Sequence, residues 1–119
     1  MQPARGWVAG PTLVPATTNA GGCGFLAGAT IAADRIEAEI LRVKDLTSDQ
    51  PFGLNFHMFQ PNAQQLLDLA IKYRLRAVSY GRGPDKKTTA RLRDAGIVCM
   101  PTVGALKHAQ KAIEMGANV

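Results

Sequence analysis

No apolar run in this sequence reaches the roughly 18 residues that a helix needs to cross a bilayer. The opening Met1-Gln2-Pro3-Ala4-Arg5-Gly6 also lacks the apolar stretch of a signal peptide. A membrane is therefore not an expected partner. Cysteine is scarce: the 119 residues hold two, Cys23 and Cys99, far apart and each inside an apolar strand candidate. That spacing excludes a close-set metal site and leaves buried free thiols, which suit a reducing, cytoplasmic compartment. Charge of one sign is in modest excess, +5 formally. The basic residues are scattered, with local groups at Lys72, Arg74 and Arg76 and at Arg82, Lys86, Lys87, Arg91 and Arg93, and no nucleic-acid motif accompanies them. A solvated basic face is expected, with no nucleic-acid partner.

What is present is a soluble, globular composition: 46% hydrophobic residues in a length that suits one domain over residues 1–119. The chain is organised around Asn19-Ala20-Gly21-Gly22-Cys23-Gly24-Phe25-Leu26-Ala27-Gly28. Asn and Gly tolerate the left-handed conformation that ends a helix. Cys23 to Ala27 then reads as a strand buried on both faces, as parallel sheets require. The glycines lack the Lys of a P-loop and the acidic partner of a dinucleotide fingerprint, so phosphate binding is weakly supported and a packing role favoured.

Met1 to Pro11 reads as a loop with no strand of its own, and Thr12 to Asn19 as a brief helix that tolerates Pro15 near its first turn. Ala32 to Leu46 is the clearest helix, because Ile36, Ile40 and Val43 recur on one face. Phe52 to Phe56 is a strand that carries a polar Asn55 in an apolar run. Burial alone gives no reason for that residue. Asn62 and Gln65 are spaced as a capping box for the next helix, whose buried face is Leu66, Leu67, Ala70 and Ile71. Ala77 to Tyr80 is a strand and Gly81 to Asp85 a turn, with Asp85 placed to cap a helix that ends at Gly96. Ile97 to Pro101 is a strand, Ala105 to Met115 a helix, and Ala117-Asn118-Val119 begins another strand. Such alternation implies a parallel sheet with helices outside, and by itself leaves an open doubly wound sheet and a closed barrel both standing.

Thr17-Thr18-Asn19-Ala20-Gly21-Gly22-Cys23-Gly24-Phe25-Leu26, then Pro51-Phe52-Gly53-Leu54-Asn55-Phe56, Val78-Ser79-Tyr80-Gly81 and Pro101-Thr102-Val103, together with Met1-Gln2-Pro3, resemble the nitronate monooxygenase family. That family, formerly called 2-nitropropane dioxygenase, also includes flavin-dependent enoyl-acyl-carrier-protein reductases. The resemblance covers nearly the whole chain. It implies an α/β fold, a partial TIM barrel of parallel strands alternating with helices, with the first strand largely missing and the second half absent. It also implies FMN as cofactor. Met1 resembles the residue whose backbone lies beside the flavin ring, and Asn55 the Asn that hydrogen-bonds FMN. Tyr80 and Thr102, at the ends of the next two strands, would line the same mouth on the substrate side. The family's catalytic His would lie beyond Val119. Two positions depart from the family pattern: Tyr73-Arg74-Leu75 stands where a helix-ending Gly is usual, and Gly104 stands where a Ser or Thr cap is expected.

The implied activity is oxidation of nitronates with molecular oxygen, with a small-molecule substrate and a possible homo-oligomer. The alternatives are enoyl-thioester reduction and a truncated, non-catalytic half barrel serving as an interaction module. From the residues alone, Asn55 reads equally as a buried Asn that hydrogen-bonds strand backbone. His57 reads as a solvated loop residue and His108 as exposed on a helix beside Lys107 and Lys111. No nucleophile, base and orienting group can be assembled from this chain.

Overall fold

Short apolar runs of β-branched and aromatic residues, each followed by a longer segment with helical periodicity, give a regular alternation. The computed structural model describes residues 1–81 and 86–118. Along it run α1 (Leu13–Asn19), β1 (Phe25–Ala27), α2 (Ile36–Leu46), β2 (Gly53–His57), α3 (Ala63–Lys72), β3 (Ala77–Gly81), α4 (Lys86–Asp94), β4 (Val98–Thr102) and α5 (Leu106–Glu114). A single 3-10 turn, Gly28–Thr30, follows β1. The expected cap Asp85, its turn from Arg82, and the strand leading to Val119 lie partly or wholly outside the described residues.

All four strands are parallel and stand in the order β1-β2-β3-β4. Each strand is added on the same side as the one before, so the sheet has no reversal point of the kind that a doubly wound fold requires. This order resolves the choice that alternation left open, in favour of part of a βα barrel wall. Met1 to Pro11 is not wholly loop. Gln2 pairs in parallel with Gly24, its N–H donating to Cys23 O at 2.9 Å and its carbonyl accepting from Phe25 N–H at 3.2 Å. A stub of strand therefore precedes β1.

Strand alternation sends Leu26, Leu54, Phe56, Val78, Tyr80 and Cys99 to one face, where the helices cover them. There they meet Ile36, Ile40 and Val43 of α2, Leu66, Leu67 and Ala70 of α3, and Leu92 of α4 in one buried cluster. Glu37 of α2 takes hydrogen bonds from Lys72 Nζ at 2.7 Å and Tyr73 Oη at 2.6 Å at the end of α3. These bonds, that from Lys72 foremost, hold its carboxyl below the usual range. Among the described residues no helix is long and apolar enough to cross a membrane.

The glycines that follow α1, α4 and α5, Gly21, Gly96 and Gly116, all take positive φ, at 84°, 73° and 96°. A Cβ at Gly96 would meet no atom within 4 Å, so Gly96→Ala is a clean probe of backbone conformation. It should lower unfolding stability by about 1 kcal/mol. A urea midpoint that stays in place would refute this account of the joint.

Several local expectations are corrected. Asn62 makes no capping box: its Oδ1 accepts from Gln60 Nε2 at 2.6 Å, while Gln65 Nε2 donates to Ala33 O at 2.8 Å. The α2 helix starts at Ile36 rather than Ala32, with residues 32–35 forming a turn. At the end of α3 the missing Gly is replaced by Arg74 in the left-handed region, φ 50°, and the helix still closes through Leu75 N–H to Ala70 O at 3.0 Å. Before α5 stands Ala105, which makes no side-chain cap.

Candidate functional site

The strand residues that do not face the helices form the other face of the sheet, which would be the inner face of a barrel. Register arranges them in rows: Phe25, Gly53, Ala77 and Val98 lowest, then Ala27, Asn55, Ser79 and Met100, then His57, Gly81 and Thr102 at the carboxyl ends. Two missing side chains shape this face. A Cβ on Gly53 would fall 2.4 Å from the Phe25 ring, and one on Gly81 would fall 3.0 Å from His57 Nδ1. The Phe25 ring thus lies over Gly53 and His57 leans over Gly81.

Asn55 is half-buried on this face. Its amide donates to Ser79 O and to Ser79 Oγ, both at 3.2 Å. Those bonds fix the side chain between the strands and leave its Oδ1 without a donor among the described residues. The strand-backbone role that the residues alone allowed is therefore present, and an acceptor is left over. Thr102 ends β4 in the same row as His57 and is exposed at the mouth.

Met1 and Tyr80 stand elsewhere than expected. Because Gln2 pairs with Gly24, Met1 lies below the level of Ala27 by more than three residues of strand, about 10 Å or more at the usual rise. That is the amino-terminal side of the sheet, and its side chain is 75% exposed. Backbone at the carboxyl end of β1 comes instead from the Arg5 to Gly10 loop, where Ala9 O accepts from Ala27 N–H at 2.9 Å. Tyr80 alternates to the helix-facing side and is 0% exposed inside the apolar cluster, so its ring does not reach the mouth. Position along the strand placed it near the carboxyl end; pleat parity sent the side chain the other way.

Sequence reasoning read His57 as a solvated loop residue; it is exposed but ends β2, and alternation from Asn55 places it on the same face two residues on. The Trp7 to Pro11 loop was passed over. That loop, with the turn after β1 and the first turn of α2, lines a half-open cavity of about 300 Å³ whose wall includes Trp7, Pro11, Ala27, Ile31, Arg35 and Glu39. Ala27 belongs both to this cavity and to the row of Asn55. His108 is exposed on α5 as expected.

The thiols are not poised nucleophiles. Cys99 is buried and Cys23 only half-buried, both free. Burial pushes both thiols up, outweighing the amino terminus and Arg76 near Cys23 and Arg93 near Cys99. A raised thiol pKa keeps the thiolate fraction low at neutral pH. Among the described residues no group of three or more His, Cys, Asp or Glu is placed to hold a metal ion.

Comparison with known proteins agrees with this geometry. Two curated relatives are each described as (3aS,4S,5R,7aS)-5-hydroxy-7a-methyl-1-oxo-octahydro-1H-indene-4-carboxyl-CoA dehydrogenase. The one from Rhodococcus jostii is 42% identical and the one from Mycobacterium tuberculosis 43% identical, each over 99% of this chain. The chain spans about a third of their length, 33% in both cases. Among solved structures, FabK from Thermotoga maritima superposes with a TM-score of 0.89 at 28% identity, over 98% of this chain and 37% of FabK. A variant of the same protein gives 0.90 at 28% identity, over 98% of this chain and 39% of the other. The family profile described as nitronate monooxygenase matches residues 1–119. With parallel strands wound in one direction, an inner face carrying Asn55, and a family match over its whole length, the chain belongs to the nitronate monooxygenase family of flavin-dependent oxidoreductases.

Proposed function

We propose that this chain forms part of an FMN-binding oxidoreductase whose substrate is a hydroxylated, ring-fused acyl-CoA thioester. The observation that carries the cofactor half is Asn55, anchored by Ser79 on the inner face with an acceptor left over. In its row Asn55 is flanked by the small Ala27 and Ser79, above the Phe25 ring that covers Gly53, and a planar ring would lie against these residues. Asn55 Oδ1 supplies an acceptor for a ring N–H, already oriented by Ser79. These residues fit a flavin. Asn55 and the inner face would hold it, and the flavin would supply two-electron acceptor chemistry that the side chains here lack. No residue of the chain is assigned to its phosphate.

The substrate half is supported by the 42% and 43% identity to dehydrogenases of a hydroxylated octahydroindene carboxyl-CoA. A second reading, oxidation of nitronates with molecular oxygen, is supported by the description of the family profile. The inner face serves both, because each needs a ring held against a water-poor wall. Anaerobic mixing of the flavin-loaded protein with each substrate class separates them. Bleaching of the visible flavin band by the acyl-CoA but not by an alkyl nitronate is expected, and the reverse result would replace the first reading by the second.

Asn55→Ala should raise the flavin dissociation constant about tenfold, the loss of one good hydrogen bond and its orientation. The fold should survive, since Asn55 is outside the apolar cluster. Flavin content after dialysis equal to that of the unmodified protein would remove Asn55 from the cofactor site.

A further inference from the structure

His57 ends β2 on the inner face, one row above Asn55, and takes no part in the contact assigned to the flavin. Its backbone N–H donates to Gln60 Oε1 at 3.0 Å, and Met58 N–H donates to Gly81 O at 3.4 Å, so the chain on both sides of the imidazole is tied. The ring itself is placed by shape. Gly81 leaves the gap beside it, and a Cβ there would fall 3.0 Å from Nδ1 and 3.5 Å from Cε1. Neither ring nitrogen is hydrogen-bonded to another described residue. An imidazole carries at least one N–H in either its neutral or its charged form, so His57 offers an unused donor. Thr102 stands in the same row on the far side of Gly81, exposed, and among the described residues its hydroxyl is equally unused.

We infer that His57 and Thr102 form a two-donor site for one acceptor oxygen of the substrate, the carbonyl of its thioester. Strands about 4.8 Å apart place the His57 and Thr102 backbones about 10 Å from each other across Gly81. With the imidazole leaning over the middle strand, roughly half of that span stays open, close to the reach of two hydrogen bonds of about 2.8 Å meeting at one oxygen. A side chain at position 81 would crowd the same gap. Height along the strands selects the carbonyl rather than another oxygen of the ligand. Two residues of strand raise this row about 6.6 Å above Asn55. Exposure rises with it, since Asn55 and Ser79 are half-buried whereas His57 and Thr102 are exposed. An acyl-CoA has the same gradient: an apolar ring at one end, a solvated CoA at the other, and the thioester carbonyl where the two meet. In taking the ligand to be a thioester, the inference rests on the function proposed above.

The test does not require turnover. Benzoyl-CoA and S-benzyl-CoA share their ring and CoA arm, and only the first has the carbonyl. Benzoyl-CoA also has no hydrogen on the carbon next to that carbonyl, so it binds without being oxidised. Calorimetric titration of the protein in excess FMN should give benzoyl-CoA an affinity about tenfold above that of S-benzyl-CoA. His57→Phe keeps a ring beside Gly81 and removes the donor; it should abolish most of this preference while S-benzyl-CoA binding and flavin content stay unchanged. His57→Gln, which restores a side-chain N–H, should recover part of the preference. Thr102→Val should lower it about threefold, as the loss of one of two bonds to the same oxygen. Gly81→Ala should weaken the preference when His57 is present and have no such effect in the His57→Phe background. Equal affinity for the two probes in the unmodified protein, binding of neither, or a preference that survives His57→Phe and Thr102→Val together would overturn the inference. A preference that is lost with His57→Phe, in a protein that holds no flavin, would leave the site standing and sink the proposed function. Equal binding of the two probes in a protein that retains flavin and oxidises the ring-fused acyl-CoA would do the opposite.

Discussion

Phe56→Ala should cost about 3–5 kcal/mol of unfolding free energy, the usual loss for truncating a fully buried aromatic ring. Phe56 is 0% exposed and lies in the apolar cluster between β2 and the helices. Its register partner Tyr80 is equally buried, so the ring sits beside another large side chain that cannot collapse into the space. Such a loss is a large share of the total stability of a small domain, roughly 5–15 kcal/mol. Urea unfolding followed by circular dichroism should show a much lower midpoint at nearly constant slope. A loss under about 1 kcal/mol would mean that the helix-facing core is not packed as described.

Gly53→Val is the second large effect, and two principles disagree about its sign. As a strand residue Val is favoured over Gly, on a scale that spans about 1 kcal/mol. The Cβ position lies 2.4, 2.5 and 2.8 Å from three carbons of the Phe25 ring, and that ring is itself 2% exposed. Overpacking of this kind costs about 1–3 kcal/mol and occasionally more. The steric term should win, with a net loss of about 2 kcal/mol after the propensity gain. The cause can be isolated by adding Phe25→Ala. In the double variant Gly53→Val should cost much less than it does alone, giving a coupling of about 1 kcal/mol or more. Strict additivity would locate the problem in the β2 backbone instead of the ring.

Both effects matter for the inner face. Phe25 over Gly53 forms the lowest row, and the rows of Asn55 and of His57 stand above it. Tilting that ring would reshape the floor on which a flavin would rest.

The alternation of strands and helices was legible because helical and strand periodicities write different apolar patterns, as Ile36, Ile40 and Val43 show against Leu54 and Phe56. The glycine joints were legible too, since positive φ at Gly21, Gly96 and Gly116 leaves a residue-type signature. Asn55 stood out as a polar residue in an apolar run. Caps were less legible: Asn62 and Gln65 have the spacing of a capping box, yet Gln60 and Ala33 compete for their side chains. That competition comes from other segments, and local spacing cannot register it.

By itself, then, the sequence determined the βα units, the glycine ends of α1, α4 and α5, and the family pattern around Asn55. It did so because these rest on local conformation and on residue types within one strand or turn. Which residues share a face, and at what level, only the tertiary structure decided. Register between Gln2 and Gly24 lowered Met1 away from the mouth, pleat parity turned Tyr80 into the core, and the return of the Arg5 to Gly10 loop over β1 brought Trp7 to α2. The physical reason is that strand pairing and chain return join residues distant in sequence, and a shift of one residue in either moves a side chain to the opposite face.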